Sequence, residues 1–177
     1  KFLLVTVKKA TVKDIDKILP LLLALDSINQ TQEEWQSLFK FHWDDNQNYF
    51  GYVMYDGDKA VGFLGLLFSR RVVNNKPSKF CNISSWIVKK EYRRQSLHLL
   101  LPVLELENHT ITVLTCNTGT YFITKKLGFI DLEIGQRIIL PLPFLPKSKP
   151  SINIIFDHLE IEKLLKGETL KIYHDHR

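Results

Sequence analysis

The chain has 177 residues, 45% hydrophobic and 24% charged, with eleven Phe. That suits one globular domain with a sizeable core and excludes a disordered chain. The net charge of +5 allows an anionic ligand without requiring one. Two cysteines, Cys81 and Cys116, exclude a disulfide framework and favour a reducing, cytoplasmic setting. No apolar run reaches membrane-spanning length, so no membrane partner is expected.

Val5 to Ala10 alternates and reads as a strand. Thr11 caps the following helix, with Asp14 in its first turn. Ile15, Ile18, Leu19, Leu22, Leu23 and Leu25 recur at helical spacing, with Pro20 expected to kink or divide the helix. Thr31 and Glu34 have capping-box spacing and open a second helix with Trp35, Leu38, Phe39 and Trp43 on its apolar side. Three strands follow, Tyr49 to Tyr55, Ala60 to Phe68 and Phe80 to Val88, joined by turns at Asp56-Gly57-Asp58 and Asn74-Asn75-Lys76-Pro77. Ser96 to Leu106 reads as a helix, Ile111 to Cys116 as a buried strand, and Thr118 to Leu127 as a helix ended by Gly128. A further strand is expected over Asp131 to Leu140. Four prolines between Pro141 and Pro150 mark a linker or clamped loop. A strand (Ile152 to Phe156), a helix (Leu159 to Lys166) and a last stretch (Thr169 to Tyr173) complete the chain. The expected organisation is one domain over residues 1–140, with a proline-rich connection and an extension over 141–177 that packs on it. The fold class is α/β (α+β), a mixed central sheet flanked by helices. The helix between Phe80–Val88 and Ile111–Cys116 makes those strands parallel.

The densest basic cluster, Lys89, Lys90, Arg93 and Arg94, follows the strand that ends at Val88. A helix then starts near Arg94 or Gln95. Its first amides lack internal partners, the helix dipole adds partial positive charge, and a phosphate or pyrophosphate is the natural occupant.

From Val5 to about Leu140 the order of elements resembles the GCN5-related N-acetyltransferase (GNAT) superfamily. The turn resembles its Q/R-x-x-G-x-G/A motif, with Arg93 first and Ser96 and His98 at the small positions. Asn117 and Leu127-Gly128-Phe129 also match family positions. The resemblance implies an N-acyltransferase that moves an acetyl or other acyl group from acyl-CoA to an amine. Backbone groups of Trp86, Ile87 and Val88 would pair with the pantetheine arm. Amides of Arg93, Arg94, Gln95, Ser96, Leu97 and His98 would hold the pyrophosphate. Asn117 would complete the site, and the two parallel strands would splay apart at it. The family's thiol proton donor, a Tyr, falls at Thr124, and Tyr121 one turn earlier is the candidate catalytic substitute. The resemblance also places the acceptor near the first two helices, where Trp35, Phe39 and Trp43 would favour an apolar or aromatic amine and Asp44 and Asp45 would hold its charge. It allows a homodimer.

The resemblance implies a small-molecule or peptide amine as acceptor. The alternative is an inactive module of the same fold that binds CoA or another nucleotide. A nucleic-acid partner is not expected, because no aromatic-interleaved basic face is present. His174 and His176 would share a face on a strand, but no third ligand accompanies them, so no metal is expected.

Overall fold

The computed structural model describes residues 4–25, 30–40, 47–132 and 154–175. The chain divides into two compact units, Lys1–Ile130 and Asp131–Arg177. The division falls ahead of the expected boundary at 140, and the proline-rich segment lies outside the described residues.

The first unit holds β1 (Thr6–Ala10), α1 (Ile15–Leu22), α2 (Gln32–Ser37), β2 (Gly51–Asp56), β3 (Lys59–Val73), β4 (Lys76–Val88), α3 (Leu97–Leu104), β5 (His109–Thr112) and α4 (Thr118–Lys126). The five strands lie in sequence order, β1 to β4 antiparallel and β5 parallel to β4. This is the mixed sheet read from the sequence, with the crossover helix where the parallel pair demands one.

Alternation along the strands sends side chains to two cores. Val53 and Phe63 face Ile18, Leu22, Trp35 and Phe39 of the α1–α2 layer. Met54, Leu64, Cys81 and Ile83 face Leu99, Leu100 and Val103 of α3. Trp35 is therefore core, with 3% exposure. Trp43, Asp44 and Asp45 lie outside the described residues.

Local chemistry fixes the elements. Thr31 and Glu34 form the reciprocal cap of α2, the Glu34 amide donating to Thr31 Oγ1 and the Thr31 amide to Glu34 Oε2. A 3-10 turn with Thr11 at its N-cap and Asp14 in its first turn leads into α1, as expected. The Asp14 carboxylate accepts from both the amide and the hydroxyl of Thr11, and from the Tyr55 hydroxyl on β2. Pro20 does not divide the helix. It sits exposed inside α1, which ends two residues later at Leu22.

Two strand expectations change, and the last stretch takes a definite form. β5 begins at His109, is half-buried, and stops at Thr112. Residues 154–156 are not a strand, and Thr169–Tyr173 lies within a helix. In the second unit, α5 (His158–Leu164) and α6 (Glu168–Asp175) place His174 against Glu162 at 3.7 Å and the His158 ring against the Tyr173 hydroxyl. His174 thus stands on a helix rather than a strand, and His176 lies outside the described residues.

Asp14 yields a pH prediction. Burial alone would raise its carboxyl, but the hydrogen bonds from the Thr11 amide, the Tyr55 hydroxyl and the Thr11 hydroxyl, with Lys17 nearby, hold it below its ordinary 3.8. The carboxylate's contribution is therefore complete above that value and is lost as pH falls through the lower folded-state value. Asp14→Asn should flatten the acid limb of the stability profile, read as the difference in thermal midpoint between about pH 5 and about pH 2.5.

Candidate functional site

β4 is paired along its whole length with β3 but only partly with β5. The parallel rungs run from Lys79↔His109 to Asn82↔Thr112, where the Thr112 hydroxyl donates to Asn82 Oδ1. Beyond that rung, among the described residues, Ile83 to Val88 has no strand on its β5 side. This is the splay read from the resemblance. On the β3 side the register shifts between Leu64 and Leu66, so Ser84 and Ser85 bulge opposite Gly65. A Cβ on Gly65 would lie 2.6 Å from Ser84 Oγ, so glycine lets the strands meet there.

At the open end of β4 the Lys89 amide donates to Val61 O, and Lys90–Gln95 coils into 3-10 turns that lead into α3 at Leu97. The Tyr92 hydroxyl donates to Asp56 Oδ2 at 2.5 Å and ties the turn to the β2–β3 hairpin. That bond, with lesser help from burial, pushes the Tyr92 phenol up. The side chains of Arg93, Arg94, Leu97 and His98 are exposed, and those of Gln95 and Ser96 are half-buried. Neither Arg93 nor Arg94 has an ion-pair partner among the described residues. The Ser96 amide is engaged by the Arg93 carbonyl at 3.2 Å and the Leu99 amide by the Ser96 carbonyl at 3.1 Å. The helix thus begins at Leu97, one residue after Ser96 and two or three after the start expected near Arg94 or Gln95, and its entry is partly closed on itself.

Trp86 and Val88 turn to the α3 core and Ile87 to the α1–α2 core. The Trp86 indole N–H is buried without a partner among the described residues.

Residues beyond β5 leave the sheet at the same end as the basic turn, because β4 and β5 are parallel. There Asn117 caps α4, its Oδ1 accepting from the Thr120 amide at 2.9 Å. Thr124 is 4% exposed and its hydroxyl donates to the carbonyls of Thr120 and Tyr121. Tyr121 is 38% exposed, edge-on to Phe122. α4 ends as Leu127-Gly128-Phe129 predicts: Gly128 has φ +89°, its amide bonds to the Lys125 carbonyl, and that of Phe129 to the Thr124 carbonyl. Burial pushes the Cys81 thiol up to about 12, so it stays protonated, whereas Cys116 is exposed.

On the opposite face of the bulge lies a shallow cleft, about 280 Å³ counting its part open to solvent. Leu22, Leu38, Phe39, Phe50, Phe63 and Leu66 wall it, and Gly65, Ser84 and Ser85 edge it. Of these, sequence reasoning placed Phe39 at an acceptor groove and read Leu22 and Leu38 only as apolar helix positions. The signal available was a glycine and two adjacent serines inside otherwise apolar strands. No acidic residue lines the cleft among the described residues.

This strand, bulge, basic turn and helix have the fold of solved acetyltransferases. The acetyltransferase (GNAT) family model matches residues 19–99, from α1 to the first turn of α3. No curated protein matches. Among solved structures, a transcriptional regulator from Bacillus halodurans C-125 is 19% identical, covering 77% of this chain and 100% of its own, with a TM-score of 0.60. Glucosamine-6-phosphate N-acetyltransferase from Arabidopsis thaliana is 15% identical over 77% of this chain and 98% of its own, TM-score 0.56. An aminoglycoside acetyltransferase from an uncultured soil metagenomic sample, in complex with sisomicin, is 16% identical over 78% and 96%, TM-score 0.55. The chain is a GNAT-fold protein that carries the family's sequence pattern over residues 19–99.

Among the described residues no helix is long and apolar enough to cross a membrane, and no group of three His, Cys, Asp or Glu could hold a metal.

Proposed function

We propose that this chain is an N-acyltransferase that moves an acetyl group from acetyl-CoA to a small-molecule amine. The observation that carries the reading is that, among the described residues, the edge of β4 from Ile83 to Val88 has no strand partner and leads directly into a turn with two exposed arginines that have no ion-pair partner. A strand edge offers main-chain donors and acceptors to an extended amide-bearing arm. Arg93 and Arg94, with the start of α3, offer charge to a diphosphate. Gln95, Ser96, Leu97 and His98 complete that turn. Asn117 acts by holding the start of α4 beside the gap rather than by touching the ligand.

The reaction follows from that placement. The free amine attacks the thioester carbonyl carbon, a C–N bond forms and the C–S bond breaks. The ammonium proton passes to water, since no carboxylate stands on β4, and the leaving thiolate takes a proton from the Tyr121 phenol. Thr124 is unavailable for that step because its hydroxyl is spent on its own helix. The cleft beside the bulge receives the acceptor. Its aromatic walls and lack of lining acid favour an amine on an apolar body over a polycation.

Thiol release from acetyl-CoA with a panel of amines tests the reading. Arylalkyl and alkyl amines should release CoA thiol above the hydrolytic background, and Tyr121→Phe should lower that rate by about tenfold or more. A protein that is stabilised by CoA yet releases no thiol with any amine would be the inactive binding module. The buried Thr124 at the family's tyrosine position is the observation that favours that second reading.

A further inference from the structure

The bulge in β4 changes which side chains reach the cleft. Ile83 and Trp86 are three residues apart, so regular alternation would send them to opposite faces of the sheet. Both instead face the α3 core. The extra residue is taken up between them, opposite Gly65, and Ser84 and Ser85 both come to line the cleft on the α1–α2 face.

Gly65 fixes where the first hydroxyl stands. A Cβ at Gly65 would lie 2.6 Å from Ser84 Oγ and 3.2 Å from Phe63 Cε1. The Ser84 hydroxyl therefore occupies the space that a side chain at position 65 would take, beside the Phe63 ring. Neither serine hydroxyl makes a hydrogen bond among the described residues. Every other side chain that lines the cleft is apolar, so these two hydroxyls form its polar end. They also belong to the stretch of β4 that has no strand on its β5 side among the described residues. The polar end of the cleft thus adjoins the edge proposed to take the acyl-CoA arm.

We propose that Ser84, with Ser85 beside it, orients the acceptor. Ser84 Oγ accepts a hydrogen bond from the N–H of a compact primary amine, and the amine's apolar body lies against Leu22, Leu38, Phe39 and Phe50. The acceptor role rests on the acyltransferase reading, whereas the amine subsite rests on the cleft alone. A hydroxyl is neutral, so it marks one nitrogen without drawing further cations, and this selects a monoamine over a polyamine. The cleft's volume of about 280 Å³, its open part included, suits a body of about one aromatic ring.

The test compares 2-phenylethylamine with its N,N,N-trimethyl derivative, which keeps the ring and a charge but has no N–H. Binding is followed by NMR through the backbone amides of Gly65, Ser84 and Ser85. The parent should bind the primary amine about fivefold more tightly than the trimethyl derivative. Ser84→Ala should remove that preference while keeping the parental thermal midpoint and response to CoA. Gly65→Ala displaces the hydroxyl without deleting it and should weaken the primary amine by a similar factor. An unchanged preference in a folded Ser84→Ala/Ser85→Ala protein overturns the proposal. So does a primary amine that fails to bind, or that binds without shifting Gly65 and Ser84. Thiol release from acetyl-CoA then separates the two readings. Amine binding that depends on Ser84 without any thiol release retires acyl transfer and keeps the subsite. Thiol release by Ser84→Ala at the parental KM for the amine keeps acyl transfer and retires the subsite.

Discussion

Gly51→Ala is expected to destabilise the fold by about 3–5 kcal/mol. Gly51 opens β2 with φ +153°, a region that L side chains rarely adopt. A Cβ built there lies 2.0 Å from Leu64 O, a backbone atom that cannot rotate away, and 3.1 Å from Gly65 Cα. The position lies mid-sheet, paired with Ala10 on one side and Gly65 on the other. Just before it, the Phe50 amide bonds to Ala10 O and the Phe50 carbonyl accepts from the Leu66 amide, both at 2.8 Å. Relief of the clash would move β2 away from β3 and carry Phe50 out of the cleft wall. Urea denaturation reads the loss. A change in unfolding free energy below about 1 kcal/mol would show that the strands separate freely here and that the glycine pair does not set their approach. Gly65→Ala makes a useful contrast, because its nearest clash is the Ser84 hydroxyl, a side chain free to rotate. Its cost should be smaller and should fall on the bulge.

The contrast shows which features are legible in a sequence and which are not. Turn chemistry is strictly local, so Asp56-Gly57-Asp58, Asn74-Asn75, the Thr31/Glu34 cap and the Gly128 helix end read directly from residue type. Hydrophobic periodicity placed α1, α2 and α3 and the central strands for the same reason: each element's contacts recur at its own spacing. The outer end of the β3–β4 hairpin did not read as strand, because Arg70 to Lys79 has no buried face to impose alternation. Lys90–Gln95 read as an open basic turn, since charged residues carry no period that distinguishes coil from 3-10 turns. The run Ile111 to Cys116 is apolar enough for a strand, yet pairing ends at Thr112 because β4 diverges there. Divergence is a property of two strands together and neither segment encodes it alone. The bulge at Ser84-Ser85 is of the same kind. The strand and basic turn proposed to hold acyl-CoA were therefore legible as a motif, whereas the cleft proposed for the acceptor, assembled from several elements, was not.

Removing both charges of the turn with Arg93→Ala/Arg94→Ala should abolish stabilisation by CoA while leaving the ligand-free thermal midpoint unchanged. The second half of that expectation rests on the side chains being exposed and without ion-pair partners among the described residues, so nothing in the folded chain depends on them. The first half rests on what the turn lacks without them. The 3-10 coil consumes the Ser96 amide, and α3 has no capping side chain at its start. A helix terminus in that state offers a diphosphate less than one with all its first amides free, so the guanidiniums must supply more of the attraction. Loss of two charge-assisted contacts corresponds to a weakening of about 50-fold or more. The parent's response should also shrink as salt rises, in the manner of exposed charges. His98→Ala separates charge from access. If the imbalance between a bulky residue and the family's small position obstructs the phosphates, CoA should bind the His98→Ala protein more tightly than the parent. If the exposed imidazole donates to a phosphate, CoA should bind it less tightly. Full retention of the CoA response by the double arginine variant would detach the basic turn from the pyrophosphate and leave the free β4 edge without its anchor.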